Sequence, residues 1–159
     1  MTAATFDNNS EAFLPITAEN IGSFVPIFVE AFSAPPWEAR WSLSAAQERL
    51  VTFVEYPRFQ GLGVLVGTAP AGLVLGWGER WSSAWVFHIK EMCVGIAHRN
   101  RGVGKRLLRR FEVALAVNKY RSIYLETAAQ SSAYEFYRAC GYESLDLISL
   151  QKRLPPGDQ

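Results

Sequence analysis

The sequence predicts one α/β domain in which helices flank a single, mainly antiparallel sheet. Three observations predict it. The chain has 159 residues, 49% of them hydrophobic and 19% charged, which is the composition of a folded globular protein with a real core. Strand patterns outnumber helical ones. Hairpins come early, and a β-loop-α-β-α-β succession follows them, which excludes a doubly wound parallel fold. The expected organisation is a loose tail over residues 1–10, one domain over 11–154 and a frayed end over 155–159.

Each element has its own signal. Ala12–Thr17 predicts a short first strand. Ile21, Phe24, Val25, Phe28 and Phe32 recur at helical spacing, so Glu19–Phe32 predicts an amphipathic helix. Pro35-Pro36 then forbids a helix. Ser44-x-x-Gln47 resembles a capping box and starts a second helix that ends before Pro57. Gly61–Gly78 carries no charge over 18 residues, the length of a membrane span, but Ala69-Pro70-Ala71-Gly72 breaks it with turn chemistry. It predicts a buried hairpin of Gly61–Thr68 and Gly72–Arg80. Ala84–Val94 is a third long strand. Val103, Leu107, Phe111 and Leu115 lie four apart, so Gly102 to about Asn118 is helical. Ile123–Thr127 reads as a strand, Ser132–Cys140 as a short helix and Tyr142–Leu150 as a last strand.

The net charge is +1, too small for a field that draws the chain to nucleic acid or to an anionic membrane. Cys93 and Cys140 lie in apolar stretches, and no signal peptide is visible at Met1–Ser10; both read as reduced thiols of a cytoplasmic protein. No metal site is assigned. Against this neutral background the segment "RNRGVGKRLLRR", Arg99–Arg110, stands out. Six basic residues and no acid lie between Glu91 and Glu112, and Lys105 and Arg106 fall in the first turn of a helix. A helix N-terminus already bears about half a positive charge, so cations there suit only a bound anion. The P-loop pattern fails, because Arg99 and Arg106 stand where it needs Gly and Ser or Thr. The dinucleotide fingerprint fails at Leu107. What remains is Arg99-x-x-Gly102-x-Gly104 between a hydrophobic strand and a helix, a turn whose backbone N–H groups approach a pyrophosphate closely.

Here the chain resembles the GNAT superfamily of acyl-CoA-dependent N-acyltransferases. Arg99-x-x-Gly102-x-Gly104 after "KEMCV" resembles that family's central motif, and "QSSAYEFYRACGY", Gln130–Tyr142, resembles its next one. Ala133, Phe136, Tyr137, Gly141 and Tyr142 fit the second motif; Gln130 stands where asparagine is usual. The likeness runs from the first helix to the last strand. It implies a sheet whose two central strands splay into a V-shaped cleft, with acetyl-CoA as co-substrate. Met92, Cys93 and Val94 would hold the pantetheine and polarise the acetyl carbonyl. Arg99, Asn100, Arg101, Gly102, Val103, Gly104 and Lys105 would hold the pyrophosphate, and Gln130 and Ala133 would flank the pantetheine arm. A small-molecule or peptide amine would attack directly in a ternary complex, and Tyr137 would protonate the leaving thiolate.

For the base there are two candidates. In a regular strand His88 and Glu91, three apart, face opposite ways, whereas a bulge between them would add a residue and either bring both towards the cleft or swap which one is there. A neutral histidine is the better proton acceptor, with an ordinary pKa of about 6.5 against about 4.3 for glutamate. Glu91 is nearer Met92–Val94 and would attract a cationic amine, so it is preferred, acting through water, with His88 second. Cys93 as a nucleophile has no histidine placed for it except His88. Trp37 and Trp41 in "APPWEARW" read as a lid on the acceptor, and Glu38, Glu79, Glu91 and Glu126 as an acidic pocket of the kind that aminoglycoside 6'-N-acetyltransferases need for polycationic substrates. A homodimer is compatible with the sequence. The rival readings are a catalytically silent acyl-CoA sensor and a basic nucleic-acid-binding helix.

Overall fold

The structure, a computed structural model, describes residues 10–156. Its sheet has five strands in the order β1-β2-β3-β4-β5. These are β1 (Glu11–Pro15), β2 (Phe59–Val66), β3 (Ala69–Trp81), β4 (Ala84–Val94) and β5 (Tyr120–Tyr124). Neighbours are antiparallel except β4 and β5, which run parallel. The helices are α1 (Val25–Ser33), α2 (Leu43–Val54), α3 (Val103–Val117) and α4 (Ser132–Ala139). The mixed, mainly antiparallel architecture is the one the sequence predicts. The uncharged stretch Gly61–Gly78 is the β2–β3 hairpin, and no helix among the described residues is long and apolar enough to cross a membrane.

Each face of the sheet has its own core. On one side α1, the turn before it and α2 lay Phe24, Phe28, Leu50 and Phe53 over Leu73, Leu75 and Cys93. On the other, α3 presses Leu107, Leu108, Phe111 and Leu115 onto Val74, Phe87, Ile89 and Tyr120. From Leu73 to Trp77 alternation along β3 sends odd residues to the α1–α2 side and even ones to the α3 side.

Several boundaries differ from the sequence reading. The helix expected over Glu19–Phe32 is split into a 3-10 turn, Ile21–Phe24, and α1, because Pro26 has no N–H for a continuous helix and suits a helix start instead. The cap of α2 is Ser42 rather than Ser44; the Ser42 hydroxyl accepts from the Ala45 N–H at 3.1 Å. Ser42→Ala is therefore expected to cost about 1 kcal/mol in urea denaturation, and Ser44→Ala clearly less. The hairpin turns at Gly67-Thr68, while Ala69-Pro70-Ala71-Gly72 lies in β3 and forms a bulge there, Val64 pairing Gly72 and Leu65 pairing Pro70. The strand expected at Ile123–Thr127 starts at Tyr120, whose ring packs edge-on against Phe87 at 5.3 Å.

Tyr142–Leu150 is not a strand: it has no partner among the described residues, and Leu150 is 89% exposed. Alternating apolar residues record a preference for a pleated surface and cannot supply the neighbouring strand. The expected tail lies almost wholly outside the described residues, and Pro155 and Pro156 adopt no regular structure.

Candidate active site

Two breaks in pairing build the site. Between β3 and β4 the register passes from Leu75–Glu91 to Gly76–Ile89, so Lys90 is an extra residue on β4. A Cβ on Gly76 would lie 1.8 Å from the His88 carbonyl oxygen, so only glycine permits this close approach. The second break is the end of β5. It pairs β4 only from Trp85–Tyr120 to His88–Tyr124, while β4 runs on to Val94. The Gly95 N–H donates to Ala71 of β3 at 2.8 Å. By alternation the backbones of Met92 and Val94 therefore face away from β3, into the gap where β5 has ended.

A cleft of about 390 Å3 opens at this fork. Met92, Cys93 and Val94 form one wall, Arg99, Asn100 and Gly102–Lys105 a second, and Ser132, Ala133, Phe136, Tyr137, Ala139 and Cys140 of α4 a third. Phe32, Pro35, Pro36 and Trp37 close the end towards α1.

The basic helix start resolves into separate jobs. Gly102 caps α3 at φ +76 with no side-chain cap, and no acid lies in the first turn, so the opening N–H groups are left for an anion. A Cβ on Gly104 would meet Val94 Cγ2 at 3.3 Å and Phe136 at 3.6 Å, so this glycine keeps the floor low. Lys105 lines the cleft, and Arg99 donates from Nε to the Val94 carbonyl at 3.1 Å. Arg106 departs from the expectation: it grips Glu11 of β1, Nε to Oε2 at 2.8 Å, and its Nη2 donates to the Arg101 carbonyl at 2.8 Å. This pairing holds the Glu11 carboxyl below its ordinary range, the Arg106 hydrogen bond being the main cause.

The end of α4 fixes Tyr137. Gly141, at φ +92, donates to the Arg138 carbonyl, and the Tyr142 N–H donates to the Tyr137 carbonyl, both at 3.0 Å. This is a Schellman motif with its accompanying apolar contact, the Tyr137 and Tyr142 rings lying 5.5 Å apart. The Tyr142 hydroxyl donates to Glu112 of α3 at 2.9 Å. The Gly-aromatic pair thus locks the last turn of α4 and holds the Tyr137 ring against the cleft. Burial, and after it the neighbouring Cys93, Cys140 and Glu91, push the Tyr137 pKa well above the ordinary tyrosine range. Its hydroxyl is a proton donor at any working pH.

The Lys90 bulge settles the geometry of the two base candidates. Glu91 pairs Leu75 and His88 pairs Trp77, so both face the α1–α2 side despite their spacing. Glu91 is 6% exposed and meets Arg49 of α2, whose Nε donates to Oε1 at 2.6 Å. Burial raises the Glu91 pKa, opposed by Arg49. His88 stacks on Tyr124, and its Nε2 lies 3.3 Å from Glu79 Oε2, while Glu79 Oε1 accepts from the Trp77 indole at 3.0 Å. Burial pushes the Cys93 thiol up to about 12, which leaves it a poor nucleophile.

The acetyltransferase (GNAT) domain family matches residues 53–144, more than half of the chain. The chain belongs to the GNAT acetyltransferase family. Acetyl-CoA is the co-substrate of these enzymes, and the uncapped start of α3, the low floor at Gly104 and the outward Met92 and Val94 backbones fit it. No curated protein matches the sequence. Among solved structures, an aminoglycoside acetyltransferase from an uncultured soil metagenomic sample, in complex with sisomicin, has TM-score 0.76 at 14% identity, over 94% of this chain and 99% of that one. A ribosomal-protein-alanine N-acetyltransferase from Brucella melitensis has TM-score 0.70 at 12% identity, over 92% and 100%. The aminoglycoside N-acetyltransferase AAC(6')-Iy in complex with CoA has TM-score 0.72 at 11% identity, over 91% and 95%. At such identities the likeness establishes the GNAT fold.

Set on that fold, most of the predicted residues meet at the cleft. His88, Glu91, Arg101 and Gln130 do not line it; His88 and Glu91 lie on the α1–α2 side behind the wall, Arg101 borders a smaller cavity beside Glu11 and Arg106, and Gln130 is exposed at φ +59, just before Ser131, whose hydroxyl caps α4. Trp37 reaches the wall, whereas Trp41 packs edge-on against Phe28 at 5.4 Å and belongs to the core. The acidic pocket does not assemble. Glu91 is held by Arg49, Glu79 by Trp77 and His88, and Glu126, in the segment after β5, accepts from Ser149 at 3.1 Å. Arg49 is the residue sequence reasoning missed. Its signal was a charge on the buried stripe Ala46, Leu50, Phe53 of α2.

Proposed function

We propose that residues 11–154 form a single acyltransferase domain that moves an acetyl group from acetyl-CoA to a primary amine by direct attack in a ternary complex. The observation that carries this reading is the fork itself. Outward-facing Met92 and Val94 amides and the Tyr137 side chain line the cleft where β4 outruns β5, and Glu91, the strand residue directly before them, lies behind that wall, near enough for its charge to act on Tyr137.

The α3 N-terminus and Lys105 hold the pyrophosphate of acetyl-CoA. The Met92 N–H donates to the acetyl carbonyl oxygen and stabilises the charge that grows there, while the Val94 N–H meets the pantetheine arm. Glu91 accepts the proton of the amine through a water, and Tyr137 gives its proton to the departing thiolate. Cys93 takes no part as a nucleophile. The acceptor is a small molecule or peptide bearing one reactive amine and few other cations, since three of the four acids that would gather a polycation, Glu79, Glu91 and Glu126, are engaged elsewhere and none of the four lines the cleft. Two of the similar structures are named for an aminoglycoside and for a ribosomal-protein alanine, so a panel of monoamines, peptides and aminoglycosides with thiol detection separates these classes.

The reading is tested by kcat/KM against pH. Glu91 acts only when ionised and burial raises its pKa, so activity falls as pH drops through a limb above the ordinary glutamate range. Glu91→Gln is expected to lose that limb and about 10²–10⁴ of the rate, and His88→Gln to keep the limb. The reverse pattern transfers the role to His88, in its contact with Glu79.

A further inference from the structure

We infer that Arg49 is a positioning residue that aims and tunes Glu91, an inference that rests on Glu91 being the base. The grip is one-sided. Arginine usually meets a carboxylate with two parallel bonds, one to each oxygen. Here Arg49 Nε donates to Glu91 Oε1 at 2.6 Å and Nη2 lies 2.5 Å from that same oxygen. No hydrogen bond reaches Oε2 among the described residues. It is not sealed in either, because Thr127 Oγ1 is the one fully buried, unpartnered side-chain atom among them. One oxygen is clamped and the other is left to accept a proton.

The guanidinium is itself held. It lies over the Phe53 ring at 4.7 Å and the Trp41 ring at 5.6 Å, so its position does not depend on Glu91 alone. This gives Trp41 its use: it steadies the residue that steadies the base. The other charged or titratable groups bearing on Glu91 are Lys90 at the bulge, Cys93 on β4 and Tyr137 on α4. Lys90 is exposed and lies over Trp77, so Arg49 is the only close counter-charge among them. Without it, burial would act on the Glu91 carboxyl against Lys90 alone and favour its protonated form, which cannot take another proton.

The test is kcat/KM against pH for the whole chain and its Arg49→Met and Arg49→Lys variants, with acetyl-CoA affinity and circular dichroism alongside. Methionine keeps contact with Trp41 and Phe53 but removes the charge. Its acidic limb is expected to move up by about 1–3 pH units, the span that one close opposite charge accounts for. Arg49→Lys should fall between, since it keeps the charge and loses the planar grip. Acetyl-CoA affinity should not move, because Arg49 does not line the cleft. A limb at the wild-type position in folded Arg49→Met overturns the inference, and if that variant does not fold, an unmoved limb in Arg49→Lys does so. Glu91→Gln separates the two failures. A limb that survives Glu91→Gln removes the base reading, whereas a limb lost there but unmoved in the Arg49 variants removes only the role of Arg49.

Discussion

Tyr137→Phe is expected to lower kcat by about 10²–10⁴-fold, the range for losing a general acid, and to leave the dissociation constant of acetyl-CoA unchanged. The substitution deletes one oxygen and keeps the ring. The contacts with Phe136 at 5.3 Å and Tyr142 at 5.5 Å survive, as does the Schellman cap that sets the last turn of α4. The hydroxyl makes no hydrogen bond among the described residues, so no structural partner is orphaned. Burial keeps it protonated, so the loss should be constant across neutral pH rather than confined to one limb. Single-turnover rates are the measurement, because slow product release would hide a chemical defect. A folded variant with the wild-type single-turnover rate would return Tyr137 to plain packing between α4 and the sheet.

Gly104→Val should weaken acetyl-CoA binding by about 10²-fold or more, which is about 2.7 kcal/mol or more of binding free energy. Any side chain at this position rises from the floor between Val94 and Phe136, where the first Cβ contact is already 3.3 Å. The two further methyls of valine stand where backbone N–H groups must meet the pyrophosphate. The fold should survive, since overpacking costs about 1–3 kcal/mol and glycine was itself costly inside a helix. Gly104→Ala grades the effect, with its single Cβ in tight but tolerable contact. Calorimetric titration of both variants, with circular dichroism as the check on folding, decides the matter. Unchanged affinity in folded Gly104→Val would remove the helix start from the binding site.

The two variants probe features of different legibility. Gly104 was readable because its reason is local: a glycine at a helix start, next to cations where cations do not belong. Tyr137 was readable through the motif around it, though why Gly141 and Tyr142 accompany it emerged only from the capping bonds they make. The base pair was readable as two residues and no further. Whether His88 and Glu91 share a face depends on Lys90 being squeezed out of register opposite Gly76, and nothing in the spacing of one strand reports on its neighbour.

The same boundary divides the whole protein. Composition, the hairpin signals and the period of α3 determined the fold class, because propensity and amphipathic period are properties of a few adjacent residues. The arginine-glycine turn and the Ala133–Tyr142 run pointed to the family and to the helix start as the place proposed for an anion. Only the tertiary structure decided the rest. It gave Arg106 to Glu11 across 95 positions and Arg49 to Glu91 across 42, put Trp41 in the core and Trp37 at the wall, and left Leu145–Leu150 without a strand to join. Charges and strand edges take partners by proximity in space, and chain distance carries almost no information about that.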